Sequence, residues 1–462
     1  MNFDENSDEI PAANRTLLHQ SSAYFSAILL SRWDNILGPQ VHHVWHAEDQ
    51  LVDGVVQYVA NHTLNGEIGR NDTSEPGKRV TTKLCLFTER ETVAVAFIFK
   101  GYSTSSNNAR SKYRSSTTKS LFSMCLLLPM SKLKSYLPLH DLCDVRMRMY
   151  IPQLVHLQEQ DATLAKFDKL IIEFVGCIAK ITKKPLTDMQ FQSTVLDAKN
   201  IGDVQKCRFL ERCIMSHLQT CGCSIVVGNT LEEVDEMISI LAMFLSPSER
   251  SRSQCAVEGD QFRYESDLFL QGLTLEKGKL SSEKIPEMEV IRTQLPSTLI
   301  DVSKHEVKQT NQLHKHTAMR KDMITNEQVK DETGFYANVF RPMEDHSKLV
   351  RTFLHEISLL PPVCGVREAY ASQFVRLIQR KALALIKYVE AESPRPHQGV
   401  ALDPASSHAL VKKLKRALSL DEEGDWKIVL ATAEKLKPGM FRHVLGDPSE
   451  HCQRVEQELA FL

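Results

Sequence analysis

Long apolar runs are missing from this chain of 462 residues. Stretches such as Val93–Phe99 and Met124–Leu128 are strand-length, whereas a helix crossing a bilayer needs roughly 20 apolar residues. No membrane span is expected. An excess of one charge is missing as well: 56 Lys+Arg stand against 58 Asp+Glu, a formal net charge of -2. Nucleic-acid binding needs a concentrated basic footprint, and the whole-chain balance offers none. The opening residues, MNFDENSDEIPAANRTLLHQ, are acidic and polar. They lack the basic segment and apolar core of a secretory signal, and residues 1–20 are expected to form a disordered tail. Eleven cysteines, an odd number spread over a long chain, do not form the dense framework of a small secreted domain. Reduced thiols in the cytosol are expected.

Catalytic motifs are equally scarce. A phosphate-cradling loop needs a glycine turn, a lysine and a Ser/Thr in fixed register. Gly77-Lys78 is followed by Arg79, and the position of the leading glycine is Asp72. No Gly-x-Gly-x-x-Gly, Gly-x-Ser-x-Gly, kinase set or His-Glu-x-x-His occurs, so no nucleotide hydrolysis, cofactor or catalytic residue is expected of the chain itself. Cys213, His217, Cys221 and Cys223 offer soft ligands. However, zinc knuckles use Cys-x₂₋₄-Cys spacing, and the Cys-Gly-Cys step reads better as a buried helix end entering a buried strand. No metal is assigned. His42, His43 and His46 do not converge, because strand alternation puts His42 and His46 on one face and His43 on the other.

What is present is the composition of an ordinary globular chain, 42% hydrophobic and 25% charged, long enough for two or three domains. Tyr24–Trp33 and Gln40–Trp45 read as a hairpin closed by Asp34-Asn35-Ile36-Leu37-Gly38-Pro39. A helix is expected from about Asp49 to Ala60, then strands at Thr81–Phe87, Thr92–Lys100 and Ser120–Leu128, with a flexible loop at Gly101–Lys119. Helical segments follow from Ser131 to Ile181, interrupted near Pro138 and Pro152. An antiparallel sheet with packed helices, an α+β architecture, is the expectation for this first part.

Beyond the polar boundary Lys183–Asn200, a helix (Cys207–Leu218), a short strand (Ser224–Val227) and a helix capped by Thr230 (Thr230–Phe244) lead to strands at Leu268–Leu273 and Leu299–Val302. That order suggests a βαβ crossover and an α/β core. Gly278–Glu289 and Glu306–Asn338 are polar and aperiodic and read as loops. The last third is helical: Ala369–Val389 carries a broad apolar face, and a last helix is expected to start at Asp425 as N-cap and end at Pro438-Gly439.

Three groups of residues suit a protein contact. Trp33, Asp34, Asn35, Gly38 and Pro39 form a rigid turn beside a second indole, Trp45, with too few acids and bases for chemistry; the alternative is that both indoles cover the sheet core. Val95 and Met124 lie on Thr92–Lys100 and Ser120–Leu128, one or the other of which is expected to be an open sheet edge, and such edges pair with partners. Arg376 and Arg380, with Lys387, line one face of the long helix and suit an acidic partner or a membrane surface.

The segments RWDNILGPQVHHVW (Arg32–Trp45), ANHTLNGEIGRN (Ala60–Asn71), SHLQTCGCSIVVG (Ser216–Gly228), FRYESDLFLQGL (Phe262–Leu273), RKALALIKYVE (Arg380–Glu390) and EGDWKIVLATAEKLKPGM (Glu423–Met440) together resemble a family. It is the family of divergent DENN-domain proteins typified by the chromosome 9 open reading frame 72 product, linked to motor neuron disease and frontotemporal dementia. The resemblance implies a longin domain with a helical extension at 21–185, a core DENN domain at 195–340 and a helical downstream DENN domain at 348–458. It implies regulation of small GTPases in membrane traffic, autophagy and lysosomal signalling, as a Rab guanine-nucleotide exchange factor within a heteromeric longin–DENN complex. The alternative it carries is a non-catalytic structural subunit of an Arf/Rab GTPase-activating complex whose arginine finger is on the partner. Implied partners are a second longin–DENN protein, a WD40-repeat protein through the complex, and Rab and Arf family GTPases. The implied location is cytoplasmic, with recruitment to endosomes, autophagosomes and lysosomes and only peripheral membrane association through the complex.

Overall fold

The computed structural model describes residues 14–17, 24–46, 53–65, 76, 79–104, 117–160, 163–183, 186, 204–256, 264–266, 268–274, 290–291, 293, 295–311, 316, 339–343, 345–361, 365–392 and 404–445. The chain divides into two compact units, Met1–Lys183 and Lys184–Leu462. Among the described residues no helix is long and apolar enough to cross a membrane.

Unit 1 runs β1 (Asn14–Leu17), β2 (Ala27–Asp34), β3 (Gly38–His46), α1 (Asp53–Leu64), β4 (Val80–Phe87), β5 (Thr92–Thr104), β6 (Thr117–Pro129), α2 (His140–Glu159) and α3 (Leu164–Lys183). The strands form one sheet in the order β1-β3-β2-β6-β5-β4. All its pairings are antiparallel except that of β1 with β3. Alternation along each strand sends one set of side chains to α1, where Ala27, Leu29, Val44, Val59, Ala94 and Cys125 make a core. The opposite face carries Trp45 and meets α2 and α3: the Trp45 indole N–H donates to Asp168 at 2.7 Å, and Phe25 stacks on Phe174 at 5.9 Å.

Several expectations are corrected here. Residues 14–17 of the presumed tail form a strand, and the rest of 1–20 lies outside the described residues. The first helix ends at Leu64 rather than Ala60. Strands β5 and β6 extend to Thr104 and from Thr117, into the presumed loop, whose centre at 105–116 lies outside the described residues. Pro152 does not interrupt α2; its ring faces solvent, where the carbonyl that loses its partner can be hydrated. The expected open edge is also wrong. β5 and β6 are interior strands, each paired on both sides, so Val95 and Met124 are buried away from any edge. The sheet ends, among the described residues, at β1 and β4.

Unit 2 begins with α4 (Val204–Gln219), β7 (Ser224–Gly228), α5 (Leu231–Ala242), α6 (Pro247–Ser251), β8 (Leu270–Thr274), β9 (Thr298–Asp301), β10 (Glu306–Gln309) and β11 (Arg341–Pro342). Central β7 is parallel to both β8 and β9, as the βαβ reading requires. The Thr230 hydroxyl accepts from the Glu233 amide at 3.3 Å and so caps α5. Strand β10 was read as loop: four residues with one buried side chain, Val307, are too short to display alternation. The segments 275–289 and 317–338 lie outside the described residues. Helices α7 (Lys348–Leu359), α8 (Val366–Glu392), α9 (Pro404–Ala417), α10 (Glu423–Leu436) and α11 (Met440–Leu445) complete the unit. The apolar stripe of α7 joins α4, α5 and the first half of α8 in one core, while the second half of α8 packs with α9, α10 and α11 in another.

Two details at the end of the chain depart from the sequence reading. Pro438-Gly439 ends α10 as expected, at Leu436, but α10 is not the last helix, because Gly439, at φ +97°, turns the chain into α11. Glu434 holds that turn by accepting from the amides of Gly439 and Phe441, each at 2.8 Å. Asp425 is not the N-cap of α10 either. It lies inside the first turn, buried, and its Oδ1 accepts from the Ser347 hydroxyl at 2.5 Å and the Leu349 amide at 3.1 Å. Asp425 thus closes the N-terminus of α7.

Candidate functional site

The hairpin tip is built from its own sequence. Asp34 Oδ1 accepts from the amides of Ile36 at 2.8 Å and Leu37 at 3.0 Å. These amides hold the carboxyl below its ordinary range, Leu37 contributing most. Gly38 takes φ +78°, a left-handed value that glycine adopts without strain. The base of the turn is tied down on both sides: the Ser120 hydroxyl donates to the Trp33 carbonyl at 2.7 Å, and the Gln57 amide to the Pro39 carbonyl at 2.9 Å. Of the two indoles, Trp45 is core and Trp33 is half-buried. Asn35 is exposed, and beside it the tip offers two apolar side chains to solvent, Ile36, 93% exposed, and Leu37, 68% exposed. Neither is among the contact residues expected from the turn, although an Ile-Leu pair between turn formers is the signal the sequence carries for them.

Edge strand β4 makes a second surface. Its N-terminal end is held by α2: Thr82 donates to Asp144 at 2.5 Å, and Arg148 binds the Asp144 carboxylate and the Val80 carbonyl, each at 2.7 Å. Further along the same face stand Leu84, 43% exposed, and Leu86, 51% exposed. Two leucines at i and i+2 beside a strand edge that no described strand covers are what a docking strand would bury. The residues Trp33, Asp34, Asn35, Gly38 and Pro39 therefore stand together, with Val95 and Met124 buried inside the sheet. Arg376 and Arg380 lie exposed on α8 of unit 2.

At the end of α4 the chain reverses through Cys221, φ +57°, and Gly222, φ +89°, where a Cβ on Gly222 would come within 2.6 Å of Leu245 Cδ2. His217 Nδ1 lies 2.9 Å from the Ser224 hydroxyl. Burial pushes the Cys221 thiol up to about 12, raises Cys213 and Cys223, and pushes His217 down to about 3. These are protonated thiols and a neutral ring in a packed helix end. Among the described residues no three His, Cys, Asp or Glu side chains are grouped to hold a metal ion.

On β3, a bulge skips His42 in the pairing with β2, leaving His42 exposed and His43 buried on the Trp45 face. His43 Nε2 is 3.8 Å from Asp168 Oδ1, and its ring lies 4.3 Å from that of Trp45. Burial pushes His43 down to about 4, against the opposing pull of Asp168. The folded ring stays neutral while the unfolded ring takes a proton below about pH 6.5, so stability falls as pH drops from that value toward 4. The expected loss between pH 7 and pH 5 is about 2 kcal/mol from this ring. Denaturant melts of the wild type and His43→Gln at the two pH values check it; an unchanged pH 7-to-5 difference in the variant would refute the assignment.

Comparison with known proteins adds the following. Residues 58–316 match the model of the C9orf72-like protein family. The human protein named guanine nucleotide exchange factor C9orf72 is 33% identical over 470 aligned positions, covering 91% of this chain and 92% of its own length. The rat and mouse proteins named as homologues of that factor are each 32% identical over 466 positions, again covering 91% of this chain and 92% of theirs.

Proposed function

The chain belongs to the C9orf72-like protein family, and from that membership we propose that it regulates small GTPases as a guanine-nucleotide exchange factor for Rab proteins, within a heteromeric longin–DENN complex. The observation that carries this reading is the exchange-factor name borne by human, rat and mouse relatives aligned over 91% of the chain. Exchange is a binding reaction: the switch loops of a GTPase are ordered by phosphate and Mg²⁺ contacts, and a surface that competes for them releases the nucleotide. Such a factor works without a nucleophile or cofactor of its own. In this reading unit 1 is the longin module and unit 2 the DENN module, with core residues 195–340 and a helical part at 348–458. A second longin–DENN protein pairs with β4, a WD40-repeat protein joins through it, and the assembly acts in autophagy and lysosomal signalling. The chain is then cytoplasmic and reaches endosomes, autophagosomes and lysosomes through the complex.

A second reading is favoured by the β4 edge, which no described strand covers, with its two exposed leucines: a structural subunit of an Arf/Rab GTPase-activating complex. There the partner supplies the arginine, a contribution of about 10³–10⁵ in rate. Release of fluorescent GDP from a Rab panel, with the chain alone and with its partner, separates the two. Acceleration of at least about tenfold over intrinsic release supports exchange. No acceleration in either format, with GTP hydrolysis stimulated by the complex, sinks exchange and leaves the structural reading.

A further inference from the structure

Helix α8 buries one face and leaves the other open. Ala371, Phe374, Ile378, Ala382 and Leu385 point into the two cores of unit 2, while Ser372, Arg376, Gln379, Arg380 and Leu383 are exposed. These outer residues form one open face of the helix. That face borders a recess of about 560 Å³ whose lining includes Ser372, Arg376 and Gln379. The recess is walled by Phe244, Ile378 and Leu436, with the Lys435–Glu249 ion pair, at 2.5 Å, at its side.

The charges on this helix are used unevenly. Lys381 donates to the Leu418 carbonyl at 2.6 Å, and Lys387 pairs with Glu390 at 2.9 Å. Arg376 and Arg380, one turn apart, have no ion pair or side-chain hydrogen bond among the described residues. Two guanidinium groups at i and i+4 repel each other in the isolated chain. Each presents a fork of donors matched to a carboxylate.

We propose that this face and the recess beside it bind an acidic peptide segment of a partner protein, with two carboxylates spaced to meet Arg376 and Arg380 and one aliphatic side chain seated in the recess. The spacing suits a peptide: adjacent turns place the cations roughly 5–6 Å apart at Cβ, close to the separation of alternate side chains on an extended strand. A bilayer is the poorer fit, because surface recognition of anionic lipid draws on clusters of four to eight cations and a flat surface does not reach a recess. This surface is independent of the exchange reading, since it requires no GTPase.

The test uses the full-length chain and a phage-displayed library of random 12-residue peptides. Selection should enrich sequences with two Asp or Glu at a fixed separation beside an aliphatic residue. Resynthesised with a fluorophore, the leading peptide should bind at least about tenfold more weakly to Arg376→Glu/Arg380→Glu. It should bind within about twofold to Lys412→Glu/Arg416→Glu, an equal charge change at the same spacing on α9. All four side chains are exposed, and unchanged thermal midpoints establish that the variants are folded. A library with no acidic consensus, or a peptide indifferent to the α8 reversal, overturns the proposal. So does co-flotation with phosphatidylserine vesicles that α8 reversal abolishes in the absence of any peptide binding.

Discussion

Lysine in place of both Leu84 and Leu86 is expected to lower affinity for the proposed second longin–DENN subunit by at least about 10²-fold. Covering the exposed half of one leucine contributes about 0.7–1.5 kcal/mol, half the value of full burial, and tenfold in affinity is 1.4 kcal/mol, so losing two accounts for at least about tenfold. The lysines add repulsion, since charged groups desolvated without a counterion oppose association. The folded chain should tolerate the change, because both side chains are already about half exposed and contribute little to either core of unit 1. Size-exclusion chromatography of the mixed subunits, alongside circular dichroism of the variant, measures both effects. Normal assembly by a folded variant would exclude this edge. Proline at Val95 or Met124 cannot make the test, since both lie on interior strands and the substitution breaks the sheet itself.

Asp425→Ala should destabilise unit 2 by about 3 kcal/mol, whereas Asp425→Asn should cost less than about 1 kcal/mol. The alanine leaves the Ser347 hydroxyl and the Leu349 amide without their acceptor in a buried setting. It also loosens the cap that Ser347 makes on the Val350 amide at 3.1 Å, a contact typically worth about 1 kcal/mol. Asparagine keeps a carbonyl oxygen for both donors. The two variants differ in pH response from the wild type as well. Burial raises the Asp425 carboxyl above its ordinary value, opposed by the Ser347 and Leu349 hydrogen bonds. An acid whose folded pKa is raised binds its proton more tightly in the folded state, so its contribution falls as pH rises through and above 3.8. Denaturant melts across that range should show the decline in the wild type and its absence in Asp425→Asn. A melt of Asp425→Ala matching the wild type would refute the role of the carboxylate as cap.

What the sequence revealed was local. The Asp-Asn and Gly-Pro pairs placed the first hairpin, and Thr230 with Glu233 placed the start of α5, because caps and turns are decided within four residues. Neighbours across a sheet are a different matter. Alternation states which face a side chain takes and says nothing about which strand lies beside it. Yet Val93–Phe99 did carry a usable sign: a run with no polar alternation implies cover on both faces, as in an interior strand. Val80–Phe87, which mixes Thr and Lys with leucines, has the composition of an edge. Asp425 was misassigned because a carboxylate near a helix start looks the same whether it caps its own helix or a neighbour's. The α8 face is legible in sequence as a basic stripe, and the recess beside it is not, since its walls come from α4, α5 and α10, brought together by the fold.

The buried thiols give the chain an internal clock. Cys125 in unit 1, and Cys213, Cys221 and Cys223 in unit 2, are buried and held protonated. An alkylating reagent attacks the thiolate, so it waits at each of these positions until the surrounding segment opens. Cys85 and Cys207, partly exposed, react from the closed state and mark the start of the interval. The delay between fast and slow labelling in one sample therefore records how often each half of the molecule breathes. No probe has to be introduced, and a bound partner registers as a slower beat in the half that it grips.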